Sequence, residues 1–163
     1  MKNKIYIPIL FLFVFLPTIN ALSQEDNLIP NPGFEQYNHL PSKDRLGISC
    51  ATFWKNPVVI GVGDYYHAES KTKKYTTGRN ILGKQQPHSG KAFAGICVSK
   101  KFREYLQIQL VKPLQKDREY RISVFISCAD KIWLSKLDEF GIIFSKKEMM
   151  INGNDYLIDP PAV

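Results

Sequence analysis

Alternation of apolar and polar residues is clearest in the second half of the chain. Residues 104–110 (EYLQIQL) and 120–128 (YRISVFISC) place an apolar side chain at every second position. Residues 91–98 (KAFAGICV) and 138–145 (DEFGIIFS) are rich in β-branched and aromatic residues, and turn residues separate these segments. Such runs are typical of strands that bury one face. We therefore predict an all-β fold, an antiparallel β-sandwich.

The first half of the chain has weaker patterning. Residues 30–33 (PNPG) predict a turn, because the prolines fix φ and Gly33 can adopt a positive φ. Residues 51–54 predict a short strand, whereas residues 61–86 are rich in Gly, Lys, Thr and Asn and predict a long loop with little core. Binding surfaces on β scaffolds usually lie on such loops. We see no long amphipathic helix, repeat or linker, so one domain is expected.

The first 23 residues are predicted to be a secretory signal peptide. Two lysines precede an uncharged apolar run over residues 5–19, and small residues follow, with Ser23 as the preferred cleavage point. An N-terminal anchor helix is the less favoured alternative, because the run is shorter than about 20 residues. We expect export to the periplasm, the outer membrane or the medium. The mature chain, residues 24–163, is expected to be a single module without a transmembrane segment.

Composition and charge narrow the class of protein. Of the 163 residues, 44% are hydrophobic and 23% charged, which excludes wholesale disorder. Loss of the first 23 residues, which include two lysines, leaves 140 residues and lowers the net charge from +7 to +5. This modest positive charge favours anionic glycans, lipid phosphates or membrane surfaces as partners. Nucleic acid is not expected as a partner of an exported chain.

Three cysteines remain in the mature chain, Cys50, Cys97 and Cys128. An odd number in an oxidising compartment allows at most one disulfide, and three pairings stay open. Cys97 and Cys128 lie in apolar runs, where buried small side chains are the simplest interpretation. Zinc bound with help from the histidines is an alternative, but no CxxC or HxxxH spacing supports it.

Catalytic motifs are not evident, and we do not expect an enzyme. A nucleophile elbow of the GxSxG type is absent, and Gly61 to Gly63 is an isolated fragment of a phosphate-binding loop. A glycosidase needs two carboxylates about 5–9 Å apart. Four acids are candidates for that role by residue type alone, since no motif singles them out: Asp64, Glu69, Glu104 and Asp138.

Aromatic residues near the long loop are the better candidates for ligand binding. Trp54, Tyr65 and Tyr66 could stack on the apolar face of a sugar, although core packing is the simpler interpretation of Trp54. Neighbouring residues of an extended segment point to opposite sides, so one of the two tyrosines is expected to be exposed. A basic stretch follows, either a solvated loop or a contact for an acidic polymer or phosphate: Lys71, Lys73, Lys74, Arg79 and Lys84.

An ordered set of short strings resembles the N-terminal jelly-roll module, galactose-binding-like and carbohydrate-binding-module-like, of secreted and OmpA-like bacterial cell-envelope proteins. The first is NLIPNPGFE, residues 27–35, which is similar to the opening strand of such modules. The further pieces are residues 53–54, 56–57, 64–66, 87–95, 104–107, 113–114, 120–130 and 137–145. The resemblance covers most of the mature chain and implies a β-sandwich without catalytic machinery.

The resemblance also implies a structural calcium ion. The matching ligands would be the carboxylate of Glu35 and the backbone carbonyl of Lys91, and hard oxygen donors suit this cation. A surface or turn-capping carboxylate is the simpler interpretation of Glu35. Further calcium ligands in such modules come from a closing strand, and this chain departs from the pattern by ending at Val163. We therefore expect a sandwich whose last strands are missing.

Two functions remain open at this point. The first is a non-catalytic, exported binding module of the bacterial envelope or secretome that binds a glycan or another cell-wall component through its loops. The second is a structural or interaction module that supports a partner domain, as a fragment of an OmpA-like peptidoglycan-associated protein. Alanine substitutions at Trp54, Tyr65 and Tyr66 separate the two, because only the first predicts a loss of ligand affinity.

Overall fold

The computed structural model describes residues 27–58, 63–99, 102–131 and 140–150. The predicted signal peptide, residues 1–23, lies outside these ranges. The described strands are short and pair in twos. They are β1 (Trp54–Lys55), β2 (Asp64–His67), β3 (Ala92–Gly95), β4 (Val98–Ser99), β5 (Phe102–Arg103) and β6 (Gln107–Ile108). Two 3-10 turns, Ile48–Cys50 and Lys73–Tyr75, complete the regular structure of the described residues.

All three strand pairs are antiparallel. Strand β1 pairs with β6, so that Trp54 lies opposite Ile108, and β4 pairs with β5. The longest ladder joins β2 to β3, with Tyr65 opposite Ala94 and Tyr66 opposite Phe93. The described part of the chain is thus non-helical and built on small antiparallel sheets, as the alternation predicts.

The core forms where strand β2 and the Ile48–Cys50 turn meet. Its buried members are Ile48, Cys50, Ala51, Tyr65 and Ala92. The prediction that residues 61–86 contribute little to the core is wrong, because strand β2 lies in that segment. Two bulky tyrosines, each paired across the ladder with an apolar residue of β3, bury this strand despite its polar surroundings.

The predicted turn at residues 30–33 is present and is fixed by an asparagine. The Phe34 amide donates to the Asn31 carbonyl at 3.1 Å. The buried Asn31 side chain donates to the Gln36 and Thr52 carbonyls and accepts from the Gln36 amide. The sequence favoured a positive φ at Gly33, but the positive φ angles occur at Asn31 (49°) and Phe34 (62°) instead. The side-chain bonds of Asn31 hold it in that conformation, which asparagine tolerates better than most residues.

Two of the predicted strands, residues 120–128 and 138–145, do not form ladders in the described residues. Residues 120–128 lie outside the strands, and their apolar side chains are exposed, Val124 by 51% and Phe125 by 73%. The described part of the last predicted strand, residues 140–145, likewise lies outside the strands. A strand needs a hydrogen-bonded neighbour and a layer to cover its apolar face, and the described residues supply neither here.

Residues 125–131 instead lie along the loop after strand β2. The Phe125 ring stacks on His88 with a centroid separation of 3.5 Å. The Lys84 amide donates to the Asp130 carboxylate at 2.7 Å, and the Lys131 amide donates to the Leu82 carbonyl at 3.0 Å. These contacts position the segment without burying it.

Within the ranges that the structure describes, no helix has the length and apolar character needed to cross a bilayer.

Candidate ligand-binding cleft

The two tyrosines predicted to carry a sugar platform are both buried. Tyr65 is 0% exposed and donates its hydroxyl hydrogen to the Phe34 carbonyl at 2.8 Å. Tyr66 is 1% exposed, stacks on Phe93 at 4.8 Å and donates to the Asp64 carboxylate. Burial raises the pKa of both hydroxyls. The expectation that one ring is exposed is wrong, because strand β2 is covered on both faces.

Trp54 is half-buried at the edge of the core. Its ring lies 4.6 Å from that of Phe34, and its indole N–H donates to the Asn31 carbonyl at 3.0 Å. The ring therefore packs at the edge of the core, next to the turn that contains Asn31, as the simpler interpretation of this residue states. Its role in ligand binding stays a prediction.

Glu35 and Lys91, the two positions implied as calcium ligands, are brought together by hydrogen bonds. The Glu35 Oε1 accepts from the amides of Lys91 (2.8 Å) and Ala92 (3.1 Å). The Lys91 carbonyl accepts from the Ala68 amide at 2.9 Å. Calcium takes six to eight oxygen ligands, whereas two amides already donate to the Glu35 oxygen. The described donors therefore do not form a calcium cage, and the calcium ion stays a prediction.

The cysteines are unpaired in this structure, and Cys50 is the buried one. Cys97 and Cys128 are exposed, contrary to the expectation that both are buried. Cys97 precedes the two-residue strand β4, and Cys128 lies outside the strands, so neighbouring strands do not cover the apolar runs around them. Among the described residues, no three His, Cys, Asp or Glu side chains converge as metal ligands would.

Two of the four acids named as carboxylate candidates, Asp64 and Glu104, lie near each other. Burial, with a smaller contribution from nearby Asp64, raises the pKa of Glu104, whose carboxylate accepts from the Cys97 amide at 2.7 Å. Burial also raises the pKa of Asp64. Glu69 is exposed and forms an ion pair with Lys91 at 2.5 Å. Asp138 lies outside the described residues.

An open cleft of about 360 Å³ lies beside the segment that precedes the core turn. Its walls carry aromatic, amide, hydroxyl and cationic groups. The lining residues are Tyr37, Asn38, His39, Leu40, Ser42, Arg45 and Lys71. The cleft thus joins one residue of the predicted basic stretch, Lys71, to residues of the segment 37–45.

Backbone hydrogen bonds hold the two segments that line the cleft. The Asn38 amide donates to the Cys50 carbonyl at 2.8 Å, and the Ser42 amide donates to the Arg45 carbonyl at 2.9 Å. The Pro41 carbonyl accepts from the Lys71 amide at 2.9 Å and from the Ser70 hydroxyl at 3.2 Å. Pro41 is fully buried, so this junction ties the loop to the chain that follows strand β2.

An aromatic ring and two cations give the cleft its chemistry. Tyr37 is 41% exposed, and its ring packs edge-on against the buried His67 ring at 5.0 Å. The Arg45 Nη1 lies 2.8 Å from the nearer nitrogen of the His39 ring. Neither Arg45 nor Lys71 forms an ion pair with a described residue.

The sequence did not identify Tyr37 or Arg45 as site residues, and it offered His39 only as a zinc ligand, together with His67 and His88. The signal for the three cleft residues was an aromatic residue and two basic residues within nine positions of the chain. The link to Lys71 was not visible, because it depends on the Pro41 junction between segments 30 residues apart.

Comparisons with protein-family models, with curated proteins and with solved structures found no match to this chain.

Proposed function

We propose that this chain is a non-catalytic, exported binding module that binds a glycan of the cell envelope through the cleft between Tyr37 and Lys71. The observation that supports this most directly is the Tyr37 ring, which is partly exposed at the cleft and packs edge-on against the buried His67 ring. A ring held in this way offers a flat apolar surface at little cost in side-chain entropy.

The rest of the cleft suits a polyhydroxylated ligand. Its volume falls within the roughly 300–1,000 Å³ of small-molecule sites. Asn38 and Ser42 add amide and hydroxyl groups to the lining. Asparagine both donates and accepts hydrogen bonds, as sugar hydroxyls require.

Binding without catalysis is the function that this lining favours. Among the described residues that line the cleft, none carries a carboxylate, the group that glycosidases use in pairs. The candidate acids Asp64 and Glu104 lie outside the lining.

Calorimetric titration with cell-envelope oligosaccharides, preceded by a glycan array, tests the proposal. Tyr37→Ala is expected to weaken binding about tenfold or more, because the substitution removes a stacking contact. Tyr120→Ala is the matched control, since Tyr120 is 40% exposed and lies outside the cleft. Equal loss in both variants, or no binding by the wild type with or without calcium, contradicts the proposal.

A second function is favoured by a different observation. Large apolar side chains are exposed along the two segments that alternate without forming a ladder. They include Ile122, Val124, Phe125, Ile126, Phe140, Ile142 and Phe144. Extended exposed apolar surface marks interaction sites. A structural or interaction module that docks a partner through these segments is therefore the alternative proposal.

A further inference from the structure

We infer that the cleft binds an anionic sugar residue, with Arg45 and Lys71 holding its acid group and Tyr37 stacking on its ring. This inference rests on the proposed glycan-binding function and adds the charge of the ligand. It draws on three features of the described cleft: two cations without an ion-pair partner among the described residues, their origin in two segments joined at Pro41, and the adjacent aromatic ring.

The first feature is the lack of compensating charge. Arg45 and Lys71 line the cleft, and neither is in an ion pair with a described residue. Elsewhere in the described chain, Lys55 pairs with Glu148 and Lys91 pairs with Glu69. The described lining contributes two cations and no carboxylate, so a ligand anion would supply the missing charge.

The second feature is the position of the two cations. Arg45 belongs to the loop before the core turn, and Lys71 follows strand β2. The Pro41 junction fixes the backbone of Lys71 against that loop. Arginine presents a planar set of N–H donors that matches a carboxylate, and lysine adds a point charge. His39, which contacts Arg45 Nη1, restricts the movement of the guanidinium.

The third feature separates a sugar acid from a free anion. Tyr37 shares the cleft with the cations, and Asn38 supplies a polar side chain beside it. A simple anion such as phosphate would use Arg45 and Lys71 alone. A sugar acid would use the ring, the polar groups and the cations together, and uronic acids carry all the complementary groups on one ring.

The test compares trigalacturonate with its fully methyl-esterified form, which keeps the sugar rings and loses the negative charges. Calorimetry uses the mature wild-type chain and the variants Arg45→Gln and Lys71→Gln. We expect the wild type to bind the acid at least tenfold more tightly than the ester. Each variant is expected to lose most of that preference, because acid binding should weaken by a larger factor than ester binding. Lys73→Gln is the matched control, since Lys73 is exposed and lies outside the cleft.

Each other outcome is decisive. Equal binding of acid and ester, with Tyr37→Ala weakening both, overturns the inference and leaves the proposed function standing. Equal losses for Lys73→Gln and Lys71→Gln also overturn it, because they indicate general polyanion attraction. Inorganic phosphate competing as strongly as trigalacturonate overturns the role of the sugar ring. Absence of binding to trigalacturonate, to its ester and to the array contradicts the proposed function itself.

Discussion

His67 is the residue whose environment has the clearest consequence for stability. It is 2% exposed on strand β2, and its Nδ1 accepts a hydrogen bond from the Glu69 amide at 3.1 Å. That bond requires an unprotonated Nδ1. Burial lowers the pKa of this histidine below its ordinary value of 6.5, against smaller opposing effects of Glu69 and Glu35. The imidazole is therefore neutral in the folded protein at pH 7.

The fold is expected to lose stability as the pH falls below about 6.5, because the unfolded chain then binds a proton that the folded His67 does not. The contribution is fully present above the unfolded pKa and declines as pH falls toward the lower folded pKa. The raised pKa values of Asp64 and Glu104 act in the opposite direction, because the folded state binds their protons more readily. Urea unfolding between pH 7.5 and 5.5 checks the net effect.

Variants isolate the contribution of the histidine. His67→Gln is expected to show a smaller loss of unfolding free energy over this pH range than the wild type, and His88→Asn, at an exposed site, should resemble the wild type. Direct NMR titration of the His67 ring serves if the variant does not fold. A ring pKa above 6.5 would contradict the prediction.

At the scale of elements, Glu35 joins the opening turn to the first residue of strand β3. Its carboxylate accepts from the Lys91 and Ala92 amides, and Gly90, with φ of 70°, leaves room for it. A Cβ at position 90 would overlap the Glu35 carboxylate. The simpler interpretation of Glu35 from the sequence, a turn-capping carboxylate, therefore describes these contacts well.

Glu35→Ala is expected to lower the free energy of unfolding by about 1–3 kcal/mol, because two backbone amides lose a charged acceptor. Glu35→Gln keeps one oxygen acceptor and should lose less. Chemical denaturation checks both, with Asp44→Ala at an exposed position as the control. The same experiment with 1 mM calcium chloride tests the calcium prediction: a calcium site would stabilise the wild type and not Glu35→Gln. Equal free energies of unfolding for Glu35→Ala and the wild type would show that these hydrogen bonds do not stabilise the fold.

The elements also show what sequence patterning could predict. Residues 91–98 and 104–110 contain strands β3 and β6, because their alternation is satisfied by neighbours in the described chain. Residues 120–128 have an equally clear pattern but no strand partner within the described part of the chain. Alternation shows that a segment can form a strand with one buried face. Whether the strand forms depends on a pairing partner that is distant in sequence. Strand β2 was missed for the converse reason, since its ladder depends on β3.

The candidate site was harder to predict than the strands. Lys71 was recognised as part of a basic stretch, but its place in the same cleft as Arg45 depends on the Pro41 junction. Tyr65 and Tyr66 were proposed as ligand-binding residues because they are aromatic. Both rings are buried, and the sequence does not distinguish a buried tyrosine from an exposed one. Exposure is a property of the packed chain rather than of the residue type.

At the scale of the whole molecule, the described chain has a small covered core and an uncovered apolar surface on residues 120–126 and 140–144. If this surface docks a partner or a second copy, Val124→Lys combined with Phe144→Lys should abolish concentration-dependent association. Sedimentation velocity over a hundredfold range of concentration checks this. Lys43→Gln, at an exposed position away from these segments, is the control. A wild type that is monomeric throughout and captures no partner domain would remove support for the interaction module.

The two surfaces make separate predictions, since the cleft residues and the exposed apolar segments do not overlap. The lysine double variant should keep its affinity for trigalacturonate, and Tyr37→Ala should keep any self-association. A change that alters both properties would indicate loss of folding rather than loss of a binding surface.

The most direct test of the binding cleft is an amide NMR titration of the mature chain with trigalacturonate. We predict that the largest chemical-shift changes fall on residues 37–45 and on Lys71, with small changes at Trp54 and along residues 120–128. Changes concentrated at Trp54 or on the exposed apolar segments, or no changes at millimolar ligand, would contradict the assignment of this cleft as the glycan-binding site.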